Sequence, residues 1–186
     1  MQSFVETDRL LLRRFTAADE DHLVDLDSDP EVMRFLTGGK PTPRHVIRDE
    51  ILPELLGEYE RGDRCGRWAA IEKATGKFVG WFALRVPPGG TNAEVELGYR
   101  LRRSAWGNGY GAEGSAAVIA KGFRDLGVQR VYAETMAVNT ASRRVLEKAG
   151  LRYVRTYHLS WADPIAGVEH GEVEYALDKA TWQAHT

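Results

Sequence analysis

The amino-acid sequence predicts an α/β (α+β) domain built on a mixed sheet, and three features carry that expectation. Residues 94–101 alternate, with Val95, Leu97, Tyr99 and Leu101 on one side and Glu94, Glu96, Gly98 and Arg100 on the other, the period of a strand with one core face. Upstream, residues 67–73 and 77–86 read as two strands joined at Thr75-Gly76, so the middle of the chain is an antiparallel meander. Downstream the pattern becomes helix, strand, helix, strand, strand, which fits neither an all-α nor an all-β plan.

The other elements follow from local chemistry. Residues 9–15, RLLLRRF, form the first predicted strand. Thr16 with Asp19 three positions later is a variant of the capping box and opens an acidic helix. Asp29-Pro30 starts a second short helix running through Leu36, with the carboxylate as N-cap acceptor and proline at the first helical position. From Thr42-Pro43 to Gly62 the spacing of Val46, Ile47, Leu52, Leu55, Leu56 and Tyr59 predicts a helix that Pro53 kinks or divides. After the Pro87-Pro88-Gly89-Gly90 loop and the strand at 94–101, residues 112–126 form a helix with Ala116, Ile119 and Phe123 as its buried stripe. Val128 to Met136 is a strand, Asn139 to Ala149 a short helix closed by Gly150, and residues 151–161 and 171–178 the last two strands. No repeat, low-complexity tract or linker interrupts the chain, so residues 1–186 are expected to form one domain.

Bulk composition narrows the function. With 43% hydrophobic and 28% charged residues, the 186-residue chain reads as an ordinary globular protein able to bury its own core. A net charge of -2 supplies no basic field, so direct nucleic-acid binding is not expected. The one cysteine, Cys65, cannot form an intrachain disulfide, and the N-terminus lacks a signal-like apolar core, so a cytoplasmic location is the expectation. No stretch approaches the ~20 apolar residues of a membrane span. The five histidines form no i, i+4 pair on a helix. His158 and His170 fall in the two predicted C-terminal strands without acidic or thiol ligands at coordinating spacing, and no metal site is expected.

The most informative motif is Trp106-Gly-Asn-Gly-Tyr-Gly-Ala-Glu113, which sits between a strand and a helix. The first amides of a helix lack intrahelical partners and carry partial positive charge, so they hold an anion without dedicated side chains. Glycines at 107, 109 and 111 permit unusual dihedrals and close approach of a phosphate. The motif therefore reads as a pyrophosphate cradle rather than a plain flexible turn. Gly109-x-Gly111-x-x-Gly114, with Glu134 twenty residues further on, also satisfies a dinucleotide fingerprint and makes NAD(P) binding a rival reading. Against it, the strand of a dinucleotide unit runs almost directly into the first glycine, whereas here Arg102 to Asn108 intervene, and the preceding meander fits a doubly wound sheet poorly.

Together these pieces resemble the GNAT superfamily of N-acetyltransferases, and its RimJ/RimL-type branch in particular. The matching residues are Glu6-Thr7-Asp8-Arg9-Leu10, Glu96-Leu97-Gly98-Tyr99, Trp106 to Glu113, Asn139-Thr-Ala-Ser142 and Val145-Leu-Glu-Lys-Ala-Gly150, in family order. The resemblance implies a sheet that splays open between two central parallel strands, here 94–101 and 128–136, and holds acetyl-CoA as cosubstrate in the gap. It further implies that amides from Gly107, Asn108, Gly109, Tyr110, Gly111 and Ala112 hold the pyrophosphate. The strand edge at Leu101 to Arg103 would pair with the pantetheine, and Asn139 and Ser142 would contact the thiol end. Two positions depart from the broader family: Trp106 stands where Gln or Arg is common, and Leu146 where many relatives carry a tyrosine general acid. Ser142 is the substitute acid. It is not a nucleophile, since no Gly-x-Ser-x-Gly elbow surrounds it.

Transfer needs a neutral amine. At pH 7 an α-amine of pKa ~7.7 is neutral in about one molecule in six, and a lysine of pKa ~10.4 in about one in 2,500, so a weak base suffices for α-amines. Glu96 is the first candidate, directly or through water; the competing reading is a surface carboxylate neutralised by Arg100 or Arg102. Glu134 is the second candidate. Arg100, Arg102 and Arg103 are candidates to meet the anionic cofactor, Arg103 lying nearest the turn, or are simply a solvated charged face. Trp68 and Trp161 are candidates to line an acceptor pocket. The expected acceptor is a primary amine, either a ribosomal-protein N-terminus or a small amine, with specificity shaped by residues 30–60. A non-catalytic acyl-CoA-binding module is the alternative, and the assembly, monomer or homodimer, is open.

Overall fold

A computed structural model describes residues 3–60 and 65–185. Its strands are β1 (Ser3–Glu6), β2 (Leu10–Arg13), β3 (Gly66–Glu72), β4 (Phe78–Arg85), β5 (Glu94–Leu101), β6 (Arg130–Met136), β7 (Arg152–Tyr157) and β8 (Glu172–Asp178). They form one sheet in the order β1-β2-β3-β4-β5-β6-β8-β7. Every neighbouring pair is antiparallel except β5 and β6. The helices are α1 (Glu20–Ser28), α2 (Pro30–Thr37), α3 (Arg44–Val46), α4 (Leu52–Glu60), α5 (Tyr110–Asp125), α6 (Thr140–Lys148) and α7 (Lys179–Gln183).

The alternation at 94–101 becomes β5 with those bounds, and Val95, Leu97 and Leu101 are buried as the pattern requires. One face of the sheet packs on α5 and α6 through Phe82, Val95, Val131, Tyr175, Val118, Ile119, Phe123 and Leu146. The opposite face of the first four strands packs on α1, α4 and the turn before it through Phe15, Leu23, Leu26, Ile47, Leu55 and Phe78.

Several expectations need correction. Ala116 is exposed; the buried stripe of α5 runs through Gly111, Gly114, Ser115, Val118, Ile119, Gly122 and Phe123. Glycine carries no side chain, so it is invisible to hydrophobic periodicity while packing closely. β1, which forms a hairpin with β2 through a turn in which the Thr7 amide donates to the Leu10 carbonyl, was not expected. The helix around Pro53 is divided, as its proline requires, but by a π turn: residues Ile47–Ile51 widen so that the Leu52 amide reaches back to the Ile47 carbonyl. Proline lacks an N–H and crowds the carbonyl four positions back, and a widened turn relieves that clash. β7 stops at Tyr157 and β8 starts at Glu172, which leaves His158 and His170 outside the strands. No potential metal-binding group of His, Cys, Asp or Glu occurs among the described residues. Trp68 is buried and stacks on Phe4 with ring centroids 3.6 Å apart, a core role rather than a pocket lining. Among the described residues no helix is long and apolar enough to cross a membrane.

Candidate active site

The site begins where parallel pairing ends. β5 and β6 are in register only at Glu94 with Arg130, Val95 with Val131 and Glu96 with Tyr132. Beyond Glu96 and Tyr132 the two strands separate, and the backbone of each faces a gap. On the helix-covered side of that gap the Tyr99 phenol lies 2.8 Å from the Ser142 hydroxyl in the first turn of α6. Burial pushes the Tyr99 phenol up to about 12, against the lowering influence of the Ser142 hydrogen bond, so it stays protonated throughout the physiological range. The Asn139 side chain caps α6 by accepting from the Ser142 amide at 3.2 Å. Asn139 and Ser142 are therefore brought together, and Tyr99, which the sequence placed only as a strand residue, joins them.

The cradle lies at the start of α5. Gly107 and Gly109 adopt φ of +75° and +81°, and a Cβ at Gly107 would meet nothing within 4 Å. Gly109 is the N-cap, and Glu113 donates its amide to the Gly109 carbonyl at 3.1 Å. The amides of Tyr110, Gly111 and Ala112 stand ahead of that bond, without an intrahelical acceptor. A brace holds the loop. The Glu113 carboxylate accepts from the Thr7 hydroxyl at 2.5 Å, the Arg9 amide at 3.1 Å and Arg9 Nε at 2.7 Å, and Arg9 also donates to the Asn108 carbonyl at 2.9 Å. The guanidinium lies 4.6 Å from the centre of the Tyr110 ring, whose hydroxyl donates to Glu72. Burial alone would raise the Glu113 carboxyl; the bonds from Thr7 and Arg9 outweigh it and hold the group below its ordinary value. The Thr7-Asp8-Arg9 segment thus has a physical task, fixing the turn that carries these amides.

The neighbouring strand end is partly committed. The Leu101 carbonyl accepts from the Trp106 indole at 3.0 Å, and the Arg102 amide donates to Val79 at 2.9 Å. Arg100, Arg102 and Arg103 pair with Asp27, Asp25 and Asp29 of the α1–α2 region at 2.5, 3.4 and 3.5 Å. Glu96 is consequently neutralised by neither Arg100 nor Arg102. Its partner is Arg85, directly across the β4–β5 ladder at 2.9 Å. Glu134 projects from the same sheet face two residues past the last paired position, and its carboxylate adds to the burial that raises the Tyr157 phenol. The mouth of the gap is framed by two segments: Lys40 binds Asp163 at 2.7 Å, and Gly38 packs against Ile165. The first lies within residues 30–60; the second, the β7–β8 connection, carries Trp161.

Residues 9–152 match the family described as acetyltransferase (GNAT) domain, and the chain belongs to that GNAT acetyltransferase family. It is 32% identical to an Aspergillus fumigatus protein named FsC-acetyl coenzyme A-N(2)-transacetylase, over 97% of this chain and 78% of that one. Its fold matches that of RimL, the ribosomal L7/L12 α-N-protein acetyltransferase, in complex with coenzyme A, with TM-score 0.79 and 17% identity over 97% and 99% of the two chains. It also matches spermidine N-acetyltransferase from Vibrio cholerae in complex with CoA and spermine, with TM-score 0.77 and 15% identity over 95% and 99%. The chain is an N-acetyltransferase whose cosubstrate is acetyl-CoA. The dinucleotide reading of Gly109, Gly111 and Gly114 lacks its fold, because the sheet contains a single parallel pair where a doubly wound one is required.

Proposed function

We propose that the protein moves the acetyl group of acetyl-CoA directly to a primary amine, with an α-amine or small-molecule amine as acceptor. The observation that carries this reading is the Tyr99–Ser142 hydrogen bond beside the open end of the parallel pair. Acetyl-CoA supplies an activated thioester; the residues position it and manage two protons. Amides from Asn108 to Ala112 hold the pyrophosphate at the α5 N-terminus, with Gly107 and Gly109 giving the backbone its turn. The strand end from Leu101 to Arg103 lies along the pantetheine, and a backbone N–H in the gap polarises the acyl carbonyl. Ser142, oriented by Asn139 and hydrogen-bonded to the Tyr99 phenol, passes its proton to the departing sulfur and takes a replacement through Tyr99 from solvent. Glu96 receives the proton of the attacking amine through water, its carboxylate being anchored by Arg85.

The experiment is steady-state turnover of Ser142→Ala beside calorimetric binding of acetyl-CoA. Loss of a proton donor is expected to lower kcat by about 100-fold with acetyl-CoA affinity retained, and Glu96→Gln to slow transfer more than it weakens binding. Undiminished turnover by Ser142→Ala would remove the hydroxyl from the mechanism. Wild-type protein stabilised by acetyl-CoA, by about 2.7 kcal/mol at ~100 times its Kd, yet acetylating no amine would make it a binding module instead.

The brace gives a separate prediction. Glu113→Ala removes the acceptor that fixes both Thr7 and Arg9, and acetyl-CoA is expected to bind about tenfold more weakly, equivalent to ~1.4 kcal/mol. Titration calorimetry reads this directly, and unchanged affinity would mean that the turn needs no brace.

A further inference from the structure

The sheet face turned away from α5 and α6 gathers a group of acids to which the proposed transfer, with Glu96 as base, assigns no part. β6 contributes Glu134, β8 contributes Glu172 and Glu174, and β7 contributes Arg155 and Tyr157. In the ladders Glu172 lies opposite Met136 on one side and Tyr157 on the other, while Glu174 lies opposite Glu134 and Arg155. Burial, together with the Glu134 carboxylate across the intervening strand β8, raises the Tyr157 phenol. Glu172, next to Tyr157 in the ladder, is only 7% exposed. Its Oε1 is fully enclosed and has no hydrogen-bond partner.

The cations nearby are committed elsewhere. Arg155 binds Glu174 at 2.7 Å, Arg130 is shared among Glu94, Glu174 and Asp178 at 3.3–3.6 Å, and Arg85 holds Glu96. Among the described residues neither Glu134 nor Glu172 takes part in an ion pair. An enclosed carboxyl oxygen without a partner is costly, and burial, reinforced by the charge of Glu134, raises Glu172 above its ordinary value. A cation arriving from outside would relieve both penalties, since charge-assisted hydrogen bonds strengthen in an enclosed setting.

The position fits an acceptor. Glu134 is two residues beyond Tyr132, where β5 and β6 part, and β8 lies one strand spacing further, about 4.8 Å. We propose that Glu134 and Glu172, beside Tyr157, form a subsite for a second, cationic group of the acceptor, so that the acetylated amine carries a distal guanidinium or ammonium. This names the substrate class of the acetyl-transfer reading and rests on it.

Argininamide and citrullinamide provide the test, because they share one acetylatable α-amine and nearly one shape and differ in distal charge. Their binding to the protein saturated with coenzyme A is measured by calorimetry. Argininamide is expected to bind at least roughly tenfold more tightly, the scale of a charged hydrogen bond lost to a neutral one, and Glu172→Gln and Glu134→Gln should each erase most of that preference. Glu169→Gln, on the exposed β7–β8 connection, should keep it; melting temperatures confirm that each variant folds. Equal affinities in the wild type, no binding of either amide, or a preference surviving both substitutions would overturn the subsite. Thiol release in the presence of acetyl-CoA separates the two readings. A charge-dependent binding preference without acetyl transfer sinks the enzymatic proposal alone, whereas transfer to both amides with equal binding sinks the subsite alone.

Discussion

Substituting Gly114 by alanine is expected to lower the melting temperature by about 5–10 °C, although glycine-to-alanine changes inside a helix ordinarily stabilise by about 1 kcal/mol. The reason lies in how α5 meets the sheet. A Cβ at Gly114 would fall 2.2, 2.5 and 2.7 Å from Cζ, Cε2 and Cε1 of Phe82, a side chain with no exposed surface. Neither partner has room, because Phe82 is locked in β4 and α5 is tied at its start by the Arg9 and Glu113 brace. Overpacking of this kind costs about 1–3 kcal/mol and more where the backbone must shift, and each kcal/mol moves the melting point of a chain this size by about 2–4 °C. Phe82→Leu removes the three ring atoms in conflict. The double variant should therefore be more stable than Gly114→Ala alone, with a coupling energy of about 1–3 kcal/mol between the sites. Additive effects, or a stabilising Gly114→Ala, would show that α5 does not seat on Phe82 as described. The contact matters for the proposed function because the same seating fixes where the α5 N-terminus and its amides from Tyr110 to Ala112 stand.

Local features were legible in the sequence, and cross-chain ones were not. β5 could be read to its bounds because one of its faces is core and the other polar, and Gly107 and Gly109 announced the cradle because their backbone conformation depends on the residue itself. What escaped is what tertiary packing decides. Arg9 and Glu113 are 104 positions apart, and Tyr99 and Ser142 are 43 apart, so no periodicity joins them. The competing reading of Glu96 as a carboxylate neutralised by Arg100 or Arg102 fails, because the β4–β5 register sets Arg85 against it while Arg100 and Arg102 pair with α1. The stripe of α5 was misplaced onto Ala116 because its sheet-facing positions include Gly111, Gly114 and Gly122. Glu172 gave no signal in sequence. Its significance is burial without a partner, a property of three strands meeting.

Asp19→Ala is expected to cost about 3–5 kcal/mol, the penalty for leaving a buried charge unpaired. Asp19 is 2% exposed and grips the Arg13 guanidinium through both oxygens at 2.7 and 2.8 Å, while also accepting from the Thr16 amide at 2.8 Å. Burial by itself would raise the Asp19 carboxyl; the hydrogen bonds from Arg13 and Thr16, with the Arg13 charge, outweigh it and leave the group below its ordinary value. The sign of the pH dependence follows. A carboxyl depressed in the folded state contributes its full stability above the unfolded value of ~3.9 and loses it as pH falls through the folded value. The gap between wild type and Asp19→Ala, measured by denaturant unfolding, should thus be constant near neutrality and narrow only in strong acid. Adding Arg13→Met to the variant should recover most of the loss, because the orphaned charge goes with it, leaving about 1 kcal/mol for the missing cap. A single-variant cost below ~1 kcal/mol would mean that water reaches Arg13. The pair also bears on the site. It anchors the start of α1, whose Asp25 and Asp27 hold Arg102 and Arg100 at the end of β5, so acetyl-CoA affinity and stability should fall together in Asp19→Ala and return together in the double variant.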